Sequence, residues 1–356
     1  MKYYVEERKF EDFNKKTAGV KARADAEVIL KEKGYLPIRV WPDLGDRKDG
    51  SIFKKVKLHY MMGKLWKKSF QNLKKDDVLF LQLPVVNNYF FLGNELAKLR
   101  RKGVRIVGLV HDLEIIRMNR EKRISKKQKI RMRFEEQTVL QQCWRIIVHN
   151  EKMKQVLAKK QIPIEKMVCI EIFDYLIPNY RQPDLRRYDA RVLIVAGNLA
   201  VSKAGYLYQN PYTVNFNVYG VNYEGVKNKH LFYKGAFAPE DLPMQLEGRF
   251  GLIWDGDTGE ECTGVYGEYL KYNNPHKTSL YLAAGFPVMI WKNAALADFV
   301  LKEKIGFCIE KIEDAQKIMC EQSQEEYEAM LKNVNNVSIK LRDGYYLKRV
   351  LDFIEI

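Results

Sequence analysis

Short apolar runs alternate with longer amphipathic stretches along the whole chain. In the first half the runs are "YLPIRVW" (35–41), "VLFLQLPVV" (78–86), "VRIVGLV" (104–110), "WRIIVHN" (144–150) and "MVCIEIF" (167–173). In the second half they are "RVLIVAGN" (191–198), "TVNFNVYG" (213–220), "HLFYKG" (230–235), "FGLIW" (250–254), "FPVMIW" (286–291) and "GFCIE" (306–310). Several are unbroken blocks of β-branched and other apolar residues, the pattern of strands buried on both faces. Segments between them, such as "NELAKLRRKG" and "NEKMKQVLAKKQI", read as surface helices. This alternation predicts parallel sheets covered on both sides by helices.

The rhythm breaks once, at "DYLIPNYRQPDLRRYDA" (174–190), where two prolines and clustered charge leave no periodicity. That stretch reads as a linker. The expected architecture is therefore α/β, with two doubly wound Rossmann-like domains at 1–180 and 190–335. The final stretch, "SIKLRDGYYLKRVLDFIEI", reads as one long amphipathic helix, placing 336–356 as a terminal element packing back on the first domain. No internal repeat or low-complexity tract is present.

One short stretch carries both a helix start and a helix stop. In "YNNPHKTSLYLAAGFPVMI", Asn274 can cap, Pro275 suits the first helical position, and Gly285 supplies a left-handed stop. Lys277 is the odd member, because a cation in the first turn faces the positive end of the helix dipole. An anion bound at that end would reverse the sign.

Composition adds bounds. The 356 residues suit two domains, and no run of 18 apolar residues is present to span a membrane. The N-terminus, "MKYYVEERKFEDF", has acids where a signal peptide needs an apolar core, so a cytoplasmic protein is expected. Cys143, Cys169, Cys262, Cys308 and Cys320 form no CxxC pair, which favours buried free thiols over disulfides or a structural metal. The net charge is +16, and its densest cluster is "RMNREKRISKKQKIRMRF" (117–134). That cluster reads either as a solvated helical face or as a helix contacting an anionic membrane surface, peripheral at the inner face of the plasma membrane. Nucleic acid is disfavoured, since no recognition motif or stacking platform accompanies the charge.

Candidate chemistry gathers where the apolar runs end. In open parallel sheets ligands bind beyond the carboxyl ends of the strands, and facing strand ends of two domains would frame a cleft. The run "VRIVGLV" ends in His111-Asp112, "WRIIV" in His149-Asn150, "RVLIV" in Ala196-Gly197-Asn198, and "FGLIW" in Asp255-Gly256-Asp257. His149-Asn150 reads as a helix cap or turn, and Asp255 to Asp257 as a turn after a strand. His111-Asp112 suits general-base work. No GxGxxG, P-loop, HExxH or GxSxG motif occurs.

Together, "NNPHKTSLYLAAGFPVMI", "FGLIWDGD", "VGLVHDLE" and "RVLIVAGN" resemble one group of GT-B glycosyltransferases. The group contains bacterial β-1,6-galactofuranosyltransferases and the glucosyltransferases that extend GlcNAc on serine-rich adhesins. The resemblance implies a UDP-sugar held by the second domain, with the diphosphate on Lys277 and on the stretch formed by Asn274, Pro275, His276, Lys277, Thr278 and Ser279. It further implies Arg191 on the UDP, Tyr219 beside the uracil, and Thr17 of "KKTAGVKA" reaching the nucleotide from the first domain. The expected reaction moves galactofuranose, galactose or glucose from a UDP-sugar to a hydroxyl of a glycan acceptor, lipid-linked or protein-linked. Inversion is implied by the family, and no metal or other cofactor is expected, since Lys277, Arg191 and the helix dipole can stabilise the departing diphosphate. Asp112 is the first choice of base, with His111 either orienting it or serving as the base. Rival readings are a UDP-sugar epimerase and a non-catalytic partner of a glycosyltransferase. Tyr345 and Tyr346, read as exposed on the last helix, point to a homo-oligomer.

Overall fold

The computed structural model describes residues 1–8, 18–42, 52–87, 89–117, 125–178, 180–181, 191–209, 212–225 and 228–354. The chain divides into two compact units. Unit 1 comprises Met1–Lys15, Glu27–Cys169 and Asp352–Ile356; unit 2 comprises Lys16–Ala26 and Ile170–Leu351. The boundary at Cys169 lies ahead of the stretch read as a linker. Its first residues, including Asp174, Tyr175 and Ile177, are buried and belong to unit 2.

Along the first half run β1 (Lys2–Glu7), α1 (Ala18–Glu32), β2 (Leu36–Val40), α2 (Ile52–Phe70), β3 (Val78–Leu83) and α3 (Leu92–Arg101). They are followed by β4 (Arg105–Val110), α4 (Glu114–Arg117), α5 (Lys126–Gln142), β5 (Arg145–Val148), α6 (Glu151–Ala158) and β6 (Met167–Cys169). The six strands form one parallel sheet in the order β2-β1-β3-β4-β5-β6. β3, "VLFLQL", is buried at every position, as its unbroken apolar run predicts. β1 is absent from the apolar runs because charged residues flank its buried centre. It nonetheless sits inside the sheet, with Tyr3 opposite Leu36 and Leu79. Met62 and Trp66 of α2, Leu92 and Leu96 of α3, and Leu140 of α5 share one core with the sheet.

The second half contains β7 (Val192–Asn198), α7 (Val201–Ala204), β8 (Asn215–Val221), β9 (Leu231–Gly235), α8 (Leu242–Gln245), β10 (Phe250–Ile253) and α9 (Gly264–Tyr269). Then come α10 (His276–Ala283), β11 (Val288–Trp291), α11 (Ala297–Glu303), β12 (Gly306–Ile309), α12 (Asp314–Glu321), α13 (Gln324–Arg342) and α14 (Tyr345–Ile354). Its parallel sheet runs β12-β11-β10-β7-β8-β9. Read from β9, this is the 3-2-1-4-5-6 order of dinucleotide-binding sheets, with its switch point between β7 and β10.

One close approach seats α10 at that switch point. A Cβ on Gly251 of β10 would lie 2.1 Å from the Tyr281 ring of α10. The Tyr281 hydroxyl crosses over Gly251 to accept a 2.7 Å hydrogen bond from the Ala196 amide of β7.

The terminal segment is two helices rather than one. A capping box between Ser323 and Glu326 starts α13, and Gly344, at φ +72°, breaks the chain before α14. Tyr346 is buried and only Tyr345 of the pair is exposed, which removes half of the aromatic surface expected there. Of the cysteines, Cys143 and Cys262 are buried, Cys169 and Cys308 half-buried, and Cys320 exposed; all five are free. Among the described residues no helix is long and apolar enough to cross a membrane.

Candidate functional site

In unit 2 the strand ends at the switch point carry a buried ion pair. Lys277, in the first turn of α10, donates from Nζ to the Trp254 carbonyl at 2.7 Å and to Asp255 Oδ1 at 2.9 Å. Burial holds the Lys277 pKa below the usual lysine value; Asp255 opposes that shift and the cation of Lys203 adds to it. Lys203 belongs to α7, directly beyond β7, and its carbonyl accepts from the Gly256 amide at 2.8 Å. The Lys277–Asp255 pair therefore lies beyond β10 in the field of Lys203, whose ammonium sits 5.2 Å from the Tyr266 ring. The sequence reading assigned Asp255 to a turn and passed over Lys203. Both follow apolar runs within a few residues, which is the signal that marks them.

The rest of the α10 motif has structural work. Asn274 does not cap the helix: its Nδ2 donates to the Glu171 carbonyl at 2.8 Å, and Pro275 takes the capping position in extended conformation. The Pro275 carbonyl accepts from the Thr278 amide at 2.9 Å. Ser279 Oγ donates to the Phe173 carbonyl at 2.6 Å. His276 stacks on Tyr175 with ring centroids 5.0 Å apart, and its Nε2 lies 3.3 Å from the Asp174 carbonyl. Asn274, His276 and Ser279 thus fasten the segment after β6 along α10. Burial pushes the His276 pKa down to about 4, so the ring is neutral near pH 7. Nε2 donates to the carbonyl, and Nδ1 is then an acceptor, suited to a hydroxyl and unsuited to a phosphate oxygen. The Thr278 hydroxyl is buried with no partner among the described residues. The structure thus assigns Lys277 alone, of these side chains, to the strand-end cations.

Three further assignments fare differently. Arg191 precedes β7 at its amino end, whereas ligands gather at the carboxyl end. A seven-residue strand separates the two by about 20 Å, so Arg191 does not join Lys277. Tyr219 lies near the carboxyl end of β8 but is 1% exposed, and its hydroxyl accepts from the Glu247 amide at 3.0 Å. It presents no free ring face to a base. Thr17 lies outside the described residues.

In unit 1 the carboxyl end of β4 carries His111 and Asp112. The His111 amide donates to the Leu83 carbonyl of β3 at 2.7 Å, and its Nε2 lies 2.7 Å from Gln82 Oε1. This amide oxygen accepts, so Nε2 carries the proton and Nδ1 is the basic atom. Asp112 is partly exposed and pairs with Arg117 of α4 at 3.3 Å; Arg117 also binds Glu114. Underneath, buried His149 sits 3.0 Å from the Val110 carbonyl and is kept neutral by burial, its pKa about 4. Asn150 caps α6 by accepting from the Met153 amide at 2.9 Å, as its place after the apolar run predicts.

Beside this turn lies an apolar cavity of about 100 Å³ whose lining includes Leu83, Pro84, Tyr89, Glu114, Met132 and Glu136. Glu136 accepts from the Glu114 and Ile115 amides at 3.0 and 2.8 Å, capping α4, and burial raises its pKa to about 7. Placed after a run of basic residues in α5, it gave no signal in the sequence. Among the described residues no cluster of three or more His, Cys, Asp or Glu side chains is placed to hold a metal ion.

Two family models match the chain: "Glucosyltransferase 3-like, N-terminal domain" over residues 2–172 and "Glucosyltransferase 3-like, C-terminal domain" over residues 193–354. The chain is 34% identical to the β-1,6-galactofuranosyltransferase WbbI of Escherichia coli (strain K12) over 351 residues, covering 96% of this chain and 95% of that protein. It is 25% identical to Glucosyltransferase 3 of Streptococcus gordonii over 276 residues, covering 77% and 78%. Among solved structures it is similar to sucrose-phosphate synthase (tll1590) from Thermosynechococcus elongatus, with a TM-score of 0.64 at 12% identity over 99% of this chain and 98% of that one. It is also similar to Anabaena Alr3699/HepE in complex with UDP, with a TM-score of 0.58 at 11% identity over 100% of both chains. At these identities the structural likeness speaks to the fold.

Proposed function

The chain belongs to the glucosyltransferase 3-like family of GT-B hexosyltransferases, and from that membership we propose that it moves a hexosyl group from a UDP-sugar to a hydroxyl of a glycan acceptor, with inversion and without a metal. The relatives' names point to galactofuranose or glucose as the sugar. One observation carries the donor assignment: the Lys277–Asp255 pair beside Lys203, at the switch point of a 3-2-1-4-5-6 sheet. An ammonium has three N–H donors, and Trp254 and Asp255 occupy two of them. The third serves a phosphate oxygen of UDP. The α10 N-terminus adds its dipole, so helix and lysine act on the same phosphate.

In the reaction, the acceptor oxygen bonds to the anomeric carbon as its proton passes to a base at the end of β4. The bond from that carbon to the diphosphate oxygen breaks, and UDP leaves with the electron pair. Lys277 and Lys203 offset the charge that grows on the leaving diphosphate. Asp112 serves as the base or shares the role with His111. Asp112 is partly exposed and held by Arg117 at 3.3 Å, which fixes its position at the end of β4.

Thermal-shift titration with UDP, UDP-glucose, UDP-galactose, GDP, TDP and NAD in the presence of a chelator tests the reading. Stabilisation is expected from the uridine nucleotides alone, with Lys277→Ala losing at least tenfold in UDP affinity. An unchanged affinity in that variant would remove the phosphate from Lys277.

A further inference from the structure

Two helices of unit 1, α2 and α5, display one pattern of exposed cations and apolar side chains. α2 has six lysines and no acid in its 19 residues. Its outward positions include Val56, Lys57, Tyr60, Met61, Lys64 and Lys68, all exposed. At 100° per residue these fall within an arc of about 140°. On α5 the exposed positions Lys126, Lys127, Ile130, Arg131 and Phe134 fall within an arc of the same width. Each arc mixes cations with large apolar side chains: Val56 is 64% exposed, Tyr60 63%, Ile130 65% and Phe134 55%. Such residues occur singly on most surfaces, but here they form a series.

Aromatic side chains join the two arcs. His59 of α2 lies 5.0 Å from the Tyr89 ring and 6.0 Å from the Phe91 ring. Phe90 contacts Phe91 and stacks on Phe134 of α5 at 5.9 Å and 26°. The Arg131 guanidinium covers the Phe90 ring at 5.4 Å. The nearest acids, Glu95 and Glu135, are engaged by Lys98 and Arg131. Cations thus flank exposed apolar side chains on both helices, and the Phe90–Phe91 pair lies between them.

We propose that the outward faces of α2 and α5, with Phe90 and Phe91 between them, dock this protein on an anionic phospholipid bilayer. The lysines and arginines meet the headgroup charge, while Val56, Met61, Ile130 and Phe134 enter the boundary between headgroups and acyl chains. A nucleic acid would satisfy the cations and leave these apolar side chains in contact with phosphate, which disfavours it. The docking deepens the transferase reading, on which it rests for its purpose: a lipid-linked acceptor is presented at such a surface.

The test is co-sedimentation of the full chain with vesicles of phosphatidylcholine alone, or of phosphatidylcholine with about one quarter phosphatidylglycerol. Binding is expected to the anionic vesicles only, and to weaken as salt rises. Each lysine at an anionic surface strengthens partitioning about fivefold, so K57Q/K64Q/K68Q should bind about a hundredfold more weakly. I130S/F134S should lose the part of the binding that persists at high salt. The proposal is overturned if the wild type does not sediment, if it sediments equally with both vesicles, if the lysine variant sediments like wild type, or if the face binds single-stranded RNA and not vesicles. UDP thermal shifts on the same samples keep the two readings apart. The surface variants should keep the UDP shift, whereas Lys277→Ala should lose it and still sediment. A wild type that binds vesicles but not UDP would sink the donor assignment and leave the docking face standing.

Discussion

At the scale of single residues, the anion facing Lys277 in this structure is Asp255, a carboxylate from the chain itself. The sequence showed the cation out of place in a first turn but not its partner, which lies 22 positions away and resembles an ordinary turn residue. Arg191 shows the opposite error. Adjacency to a strand looks the same in sequence at either end, and only the strand's direction in the sheet puts Arg191 at the end away from Lys277. The place of His111 and Asp112 at a strand end was legible because both follow a buried apolar run. The Gln82 and Arg117 contacts that hold them were not. Asp112→Asn keeps the shape and removes the base, so transfer should fall at least a hundredfold while the UDP-induced thermal shift stays at the wild-type value. Normal turnover in this variant would move the base to His111.

At the scale of elements, eleven of the twelve strands among the described residues coincide with the apolar runs. β3, β10 and β11 do so because they are buried at every position, whereas the edge strands β2 and β9 are largely exposed. β1 escaped because its buried core is three residues long. The break between α13 and α14 was also missed: apolar spacing continues through Asp343-Gly344, and the periodic signal outweighed the turn signal. No local pattern announces the fit of Tyr281 over Gly251, since it joins residues 30 positions apart in sequence; yet it sets where α10 begins relative to β10. Gly251→Ala drives a methyl group into the ring. It should lower stability by about 1–3 kcal/mol in chemical denaturation and weaken UDP binding as α10 moves. Wild-type stability together with wild-type UDP affinity would show that α10 is not anchored by this contact.

At the scale of the whole molecule, each unit buries a carboxyl group with a raised pKa. Glu136 in unit 1 and Asp174 in unit 2 are each pushed up to about 7 by burial. Asp174 accepts the Tyr346 and Leu347 amides at the start of α14, at 3.0 and 2.8 Å, which partly opposes that shift. Between about pH 4.5 and about 7 the folded chain keeps the Glu136 proton while the unfolded chain has released it. Rising pH therefore costs stability across that window, by up to about 1.4 kcal/mol per pH unit, and the cost levels off above it. Glu136→Gln should flatten this slope in unfolding curves recorded from pH 4.5 to 8; an unaltered slope would place the titration elsewhere. Neither burial is marked in the sequence, where Asp174 opens the stretch read as a linker and Glu136 follows a run of basic residues.

The ion pair between Lys33 and Asp352, both within unit 1, spans 319 positions of sequence. A growing chain at ~5–20 residues per second needs roughly 15–65 seconds to supply the second partner after the first. Throughout that interval the first sheet can assemble from residues already made, but its unit waits for a segment synthesised after all of unit 2. Separate expression of the two halves would leave each with a missing piece, so a nick in the region between Cys169 and Val192 should be better tolerated in the finished protein than the same cut made before synthesis ends.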